Sequence, residues 1–189
     1  NLISIICSNP KECHENEIYA EKLLAIDDSM ETKAILYGNL GFKYYTQNDL
    51  EQALQYFLQA SIIFGKLVSV SDNFMDLRKN GLNRARTLSN LGAIWNRLGD
   101  FKKANVFLTY SVDLYQKVTG PSHLYLADAY NNLGVTHFQL NDLPSAEDCY
   151  RRALEIYNQQ LEPSHEKIAH VSHSLAAVLE EIGQFNEAK

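Results

Sequence analysis

The stretch Asn90-Leu91-Gly92-Ala93-Ile94-Trp95-Asn96-Arg97-Leu98-Gly99-Asp100-Phe101-Lys102-Lys103-Ala104 decides how this chain folds, because variants of it stand at three other places. Asn39-Leu40-Gly41 opens a copy before it, Asn132-Leu133-Gly134 one after it, and Ser174-Leu175-Ala176 a weaker fourth. The last three are spaced by 42 residues and the first precedes them by 51. A period of this size marks stacked supersecondary units. Four residues after each Leu comes a large side chain, Tyr44, Trp95, His137 or Leu179, which gives an apolar stripe at helical spacing. Then follows Asn48-Asp49, Gly99-Asp100, Asn141-Asp142 or Gly183-Gln184. The first residue of each pair suits a left-handed helix end, and the Asp suits an N-cap. A second helix opens with Leu50, Phe101, Leu143 or Phe185 and soon places a small residue, Ala53, Ala104, Ala146 or Ala188, where helices approach closely. Phe57, Leu108 or Tyr150 and then Ala60, Ser111 or Ala153 continue that face. The pattern predicts an all-α chain, an α-solenoid of antiparallel helix hairpins in which each pair buries its faces on its neighbours.

Composition agrees with a folded chain and narrows what it does. The 189 residues carry 17 Lys+Arg against 23 Asp+Glu, a net charge of −6, with 46% hydrophobic and 21% charged residues. That is far from a disordered composition and enough to bury a core. An acidic balance gives no footing on a phosphate backbone, so no nucleic-acid partner is expected. No apolar run reads as the roughly 20 residues that span a bilayer, and Leu2-Ile3-Ser4-Ile5-Ile6-Cys7 is too short and lacks a basic flank for a leader. No membrane role is expected. Cys7, Cys13 and Cys149 form no CxxC pair, and no Asn-x-Ser/Thr acceptor occurs, so a reducing, cytoplasmic location is expected. The chain opens on Asn1 and stops inside a repeat, which reads as a fragment of a longer protein.

Leu-Gly-x-x-aromatic followed by Ala-x-x-x-aromatic-x-x-Ala is similar to the tetratricopeptide repeat. The 42-residue spacing and the linkers Gly120-Pro121-Ser122-His123 and Glu162-Pro163-Ser164-His165 resemble the long-helix subclass of kinesin light chains. Leu124 and Glu166 stand where that subclass carries a second proline. The run from Arg84-Ala85-Arg86 to Asn90-Leu91-Gly92 is also similar to Pins-type spindle-orientation scaffolds. The resemblance implies a right-handed superhelix and a non-catalytic scaffold that holds an extended peptide of a partner protein in its concave groove, as in motor-cargo or polarity adaptors. A sensor, regulatory or substrate-recruiting arm of a larger signalling protein or enzyme is the alternative.

Residues 1–32 read as a degenerate N-terminal repeat or capping helix, and 33–189 as the repeat array. Its units run over about 33–80, 81–122 and 123–164, with a truncated unit at 165–189. The open face of that last unit offers a route to self-association. Between Phe64 and Gly81 extra length is expected to extend the helices and their loop, carrying Val68, Val70, Phe74, Met75 and Leu77. Pro121 and Pro163 are expected to stop a helix, with Ser122 or Ser164 capping the next.

At about 100° per residue, one stripe of each first helix is left for the inner curve. Counted from the Leu of each repeat at −5, −2, −1, +2, +5 and +6, it holds Ile35, Gly38, Asn39, Phe42, Tyr45 and Thr46, then Arg86, Ser89, Asn90, Ala93, Asn96 and Arg97. The third repeat presents Asp128, Asn131, Asn132, Val135, Phe138 and Gln139, and the fourth His170, His173, Ser174, Ala177, Glu180 and Glu181. Asn39, Asn90 and Asn132 offer donor and acceptor together, suited to the main chain of an extended peptide or, alternatively, to neighbouring helix groups. The resemblance implies the peptide role. Arg86 and Arg97 against Glu180 and Glu181 set a direction, with an acidic ligand residue near the arginines. Arg97 near a helix end equally suits the carbonyl dipole. Phe42, Tyr45 and Phe138 are candidate apolar anchors, Phe42 also being suited to packing on the next repeat.

No enzyme is expected. His165, Glu166 and His170 miss the HExxH spacing, so the imidazoles point to different sides. His170 and His173 lie one turn apart with no carboxylate or thiol completing a metal set, and both read as groove-facing polar residues. His137 reads as a packed histidine and Cys13-His14 as a loop pair. No phosphate loop, GxGxxG or nucleophile elbow occurs, and no cofactor or metal is expected.

Overall fold

The computed structural model describes residues 29–183. Most of the N-terminal 1–32 segment, and the Gln184, Phe185 and Ala188 of the fourth repeat, lie outside the described residues. Among the described residues all regular structure is helical: α1 Met30–Thr46, α2 Leu50–Val70, α3 Phe74–Arg97, α4 Phe101–Thr119, α5 Leu124–Gln139, α6 Leu143–Gln160 and α7 Glu166–Glu181. The chain is an all-α helical-repeat solenoid. It divides after Thr87 into two compact units, and the boundary falls within α3.

The hairpin turns follow from local chemistry. Asn48, Gly99, Asn141 and Gly183 have φ of 65°, 77°, 59° and 79°, the left-handed conformation that Gly and Asn tolerate best. In the first three hairpins the next residue is the N-cap of the following helix. Asp49, Asp100 and Asp142 accept from the backbone N–H of Gln52, Lys103 and Ser145.

At the longer linkers the expected caps are corrected. α5 and α7 begin one residue later than Ser122 and Ser164 would require, so the N-cap position falls on a histidine. His123 Nδ1 accepts from Tyr125 N at 3.2 Å, and His165 Nδ1 from Lys167 N at 3.1 Å. Pro121 follows the C-cap Gly120, and Pro163 stands just beyond the C-cap Leu161.

Each of the first three hairpins closes on a glycine set against a large side chain of its second helix. A Cβ at Gly41 would stand 2.8 Å from the Phe57 ring, one at Gly134 2.8 Å from the Tyr150 ring, and one at Gly92 would overlap Leu108. Ala53, Ala104 and Ala146 are fully buried beside them, as close helix approach requires. In the first unit Ala34 of α1 meets Ala60 and Phe64 of α2, with Ile35, Tyr37, Ile63 and Leu67 around them. Tyr44 stacks on Tyr56 with ring centroids 5.4 Å apart. By length and composition α2 is apolar enough to cross a bilayer, with a mean hydropathy of 1.3, which the sequence reading missed. Its buried residues, Ala53, Phe57, Ala60 and Phe64, recur at helical spacing, and Ala60 and Phe64 pack on α1. The second unit buries Leu108, Tyr115, Leu126, Tyr150, Tyr157, Val171 and Val178 almost completely. Each such side chain contributes about 1.5–3 kcal/mol.

The extra length between the first two repeats is helical. α2 runs on to Val70, Ser71 to Asn73 form the turn, and Asn73 Oδ1 accepts from Met75 N at 2.9 Å to start α3. Val70, Phe74 and Met75 project there and are about 70% exposed.

Candidate functional site

The first helices of successive repeats are α1, α3, α5 and α7, and two polar bridges join three of them within the second unit. Asn96 of α3 donates through Nδ2 to the Asn132 carbonyl oxygen of α5 at 3.3 Å. Its Oδ1 accepts from the fully buried Thr136 hydroxyl at 2.9 Å. Lys167 of α7 donates to Asp128 Oδ1 of α5 at 2.6 Å, and the same oxygen accepts from Tyr157 of α6 at 2.5 Å. The Tyr157 hydroxyl is pushed well above its ordinary pKa, chiefly by burial and then by the Asp128 carboxylate, so it remains a neutral donor. Neighbouring first helices are thereby tied side by side, and the residues between the bridges share one surface.

These contacts correct part of the predicted stripe. Asn96 and Asp128 are structural ties, because their positions look across to the adjacent first helix. Ser89 is buried and presents nothing. The bland reading for the recurring asparagines, satisfaction within the array, applies to Asn132 only through its backbone carbonyl. Among the described residues no hydrogen bond engages the side-chain amide of Asn39, Asn90 or Asn132, and all three are half-buried.

Asn90 and Arg97 of α3, Asn131, Asn132 and Phe138 of α5, and His173 of α7 belong to the second unit. Arg97 and His173 are exposed, and Phe138 is half-buried. Asn39, Phe42, Tyr45 and Arg86 belong to the first unit. There Phe42 is 46% exposed, Tyr45 is half-buried and Arg86 is exposed. Asn131 differs from the other amides, since its Oδ1 is buried with no hydrogen-bond partner.

Asp128, Asn131, Tyr157, Glu166, Lys167 and His170 line a recess of about 420 Å³ where α5, α6 and α7 meet. Sequence reasoning passed over Tyr157 and Lys167, and met Glu166 only in the failed HExxH match and at the linker. Glu166 and Lys167 lie about one turn before the positions counted on the fourth repeat, and Tyr157 lies on a second helix whose face was read only as core. His137, in the normally aromatic core position, is half-buried with Nδ1 3.2 Å from Asp142 Oδ2, and that nitrogen is buried without hydrogen-bond geometry to any partner. Among the described residues no group of three or more His, Cys, Asp or Glu is arranged to hold a metal ion.

The tetratricopeptide repeat family model matches residues 83–159 and 145–189. Among solved structures, BtubC (BKLC) from P. vanneervenii aligns with a TM-score of 0.78 and 22% identity, over 93% of this chain and 68% of that one. The nearly identical TPR-like repeats of a Podosopora anserina protein assigned to the kinesin light chains align with a TM-score of 0.67 and 17% identity, over 94% and 82%. The first TPR of Spaghetti (RPAP3), bound to the HSP90 peptide SRMEEVD, aligns with a TM-score of 0.57 and 20% identity, over 80% and 94%. At these identities the likeness is one of fold. No curated protein sequence matches the chain.

Proposed function

This chain belongs to the tetratricopeptide repeat family, and from that membership we propose that it captures an extended segment of a partner protein along the exposed stripe of its first helices. The family is generally non-catalytic and serves protein–protein interaction. The finer reading rests on the unspent amides of Asn39, Asn90 and Asn132. A half-buried amide that bonds nothing in its own fold holds a donor and an acceptor ready for a visiting main chain, whatever that chain's side groups. Phe42, Tyr45 and Phe138 would then serve as apolar anchors, and Arg86 or Arg97 would meet an acidic ligand residue. A related fold, Spaghetti (RPAP3), was solved with a peptide bound, which supports peptide capture as a use of this architecture.

The test is a fluorescein-labelled peptide selected on this chain from a random display library. Asn90→Ala with Asn132→Ala removes two bidentate contacts and is expected to weaken binding about tenfold or more, with unfolding unchanged. Equal affinity for the folded double variant defeats the proposal.

A further inference from the structure

α2 keeps an apolar outer side that the fold leaves bare. Its mean hydropathy is 1.3, yet only 22% of that stretch is buried. Of its buried residues, Ala60 and Phe64 meet α1, and at about 100° per residue Gln55, Leu58, Gln59, Ile62 and Lys66 fall on the opposite arc. All five are exposed, Leu58 by 36% and Ile62 by 58%. The other second helices meet water with charge. α4 exposes Lys102, Lys103, Asp113 and Lys117, and α6 exposes Asp148, Arg151, Arg152 and Glu155. α2 has two charges, Glu51 and Lys66, which are opposite in sign and stand at opposite ends of its bare face. Among the described residues neither has an ion-pair partner.

We propose that this face pairs with the same face of a second copy in an antiparallel, two-fold contact. Such a contact is reciprocal, so an axis passing between Leu58 and Gln59 sets Glu51 of either copy opposite Lys66 of the other, and Gln55 opposite Ile62. Two ion pairs close the ends, and Leu58 and Ile62 of both copies fill the middle. Charge selects this register. A slide of one turn sets Glu51 against Ile62 or Val70, and a parallel arrangement sets like charges together. The seam from Glu51 to Lys66 is about 22 Å long, short for a stable interface, so the dissociation constant is on the order of tens of micromolar. A bilayer suits the face less, because interfacial helices flank their apolar side with several Lys and Arg, whereas Glu51 is repelled by anionic headgroups. Since α1 packs on the other side of α2, its stripe of Asn39, Phe42 and Tyr45 stays open in the pair. The pairing does not depend on what that stripe captures.

The test is sedimentation velocity of the 189-residue chain from about 1 to 500 μM. The expected result is a mass that rises from monomer toward dimer. Ile62→Asp should hold it at monomer with helical circular dichroism unchanged. Glu51→Lys and Lys66→Glu should each weaken pairing about tenfold or more, because each sets like charges at both ends of the seam. Mixed in equal amounts, these two variants should associate as well as wild type, since each copy supplies the sign that the other lacks. That rescue separates pairing through α2 from self-association through the fourth repeat, which neither substitution touches. A wild-type monomer at 500 μM, a dimer indifferent to Ile62→Asp, or no rescue in the mixture overturns the proposal. Cosedimentation of a monomeric chain with vesicles of phosphatidylcholine and phosphatidylserine, lost in Ile62→Asp, assigns the face to a bilayer and also overturns it.

Discussion

Asn96 and Thr136, on the first helices of adjacent repeats, are hydrogen-bonded at 2.9 Å, and the same Asn96 amide reaches the carbonyl of Asn132 at 3.3 Å. Thr136 also bonds the Asn132 carbonyl at 2.9 Å, so these groups form a closed polar knot in which the Thr136 hydroxyl has no access to water. Such a knot fixes register between the two helices.

Asn96 is therefore expected to be a stability residue and Asn90 a binding residue, although both are asparagines of α3. Asn96→Ala should cost about 1–2 kcal/mol in urea unfolding, since it strips two bonds at a half-buried site. Asn90→Ala should stay within about 0.5 kcal/mol of wild type, because its amide supports nothing in the fold. Equal losses for the two would contradict the assignment.

Glycines three residues apart on α1 should respond in opposite directions. Gly38 has nothing within 4 Å of a built Cβ, whereas at Gly41 the Phe57 ring stands 2.8 Å away. Gly38→Ala removes backbone freedom from the unfolded chain and should stabilise by about 0.5–1 kcal/mol. Gly41→Ala gains the same term but forces Phe57 aside, and overpacking of about 1–3 kcal/mol prevails. Gly134→Ala, against Tyr150, should follow Gly41. Thermal midpoints of the three single variants decide the matter.

What was legible in the sequence is what short stretches determine. Asn48, Gly99, Asn141 and Gly183 announce their turns because few residues tolerate positive φ, and Asp49, Asp100 and Asp142 sit where a free N–H needs an acceptor. The Gly and Ala positions of each hairpin were equally plain, since only small side chains permit that approach. The bridges were not. Asn96 and Asp128 look like any other polar stripe residue until the neighbouring first helix, about 40 residues on, is placed beside them. His123 and His165 were passed over as caps because Ser122 and Ser164 precede them and are the better N-cap formers. The choice depends on where the chain enters the helix, and a single residue decides it.

The capping carboxylates predict a one-sided pH response. The Asp142 carboxyl is held below its ordinary value of 3.8 first by its bond to Ser145, and the Asp100 carboxyl first by Lys103. A carboxyl whose folded pKa lies below its unfolded one stabilises the fold in full above 3.8, and that contribution fades as pH drops through the folded value. Asparagine caps nearly as well but does not titrate. The thermal midpoint of wild type relative to Asp100→Asn/Asp142→Asn should hold steady from neutrality to about pH 5 and then decline on further acidification. A relative gain for wild type in acid would show that these carboxyls are not depressed by the fold.

Cys149 should be chemically silent while the second unit is folded. It is 5% exposed, and burial first, then the nearby Asp148, pushes its thiol up to about 12, so almost none is thiolate near neutral pH. With Cys7 and Cys13 replaced by Ser, the chain should react with Ellman's reagent only as fast as it opens. Adding urea should accelerate the reaction in step with loss of helical circular dichroism. Because Cys149 lies on α6 between the buried residues Ala146 and Ala153, its labelling rate reports on the hairpin that supplies Tyr157 to the recess. Binding of a peptide to the folded form should slow labelling in proportion to occupancy, through mass action. Prompt labelling of the native protein would mean that α6 opens independently of the helices it packs against.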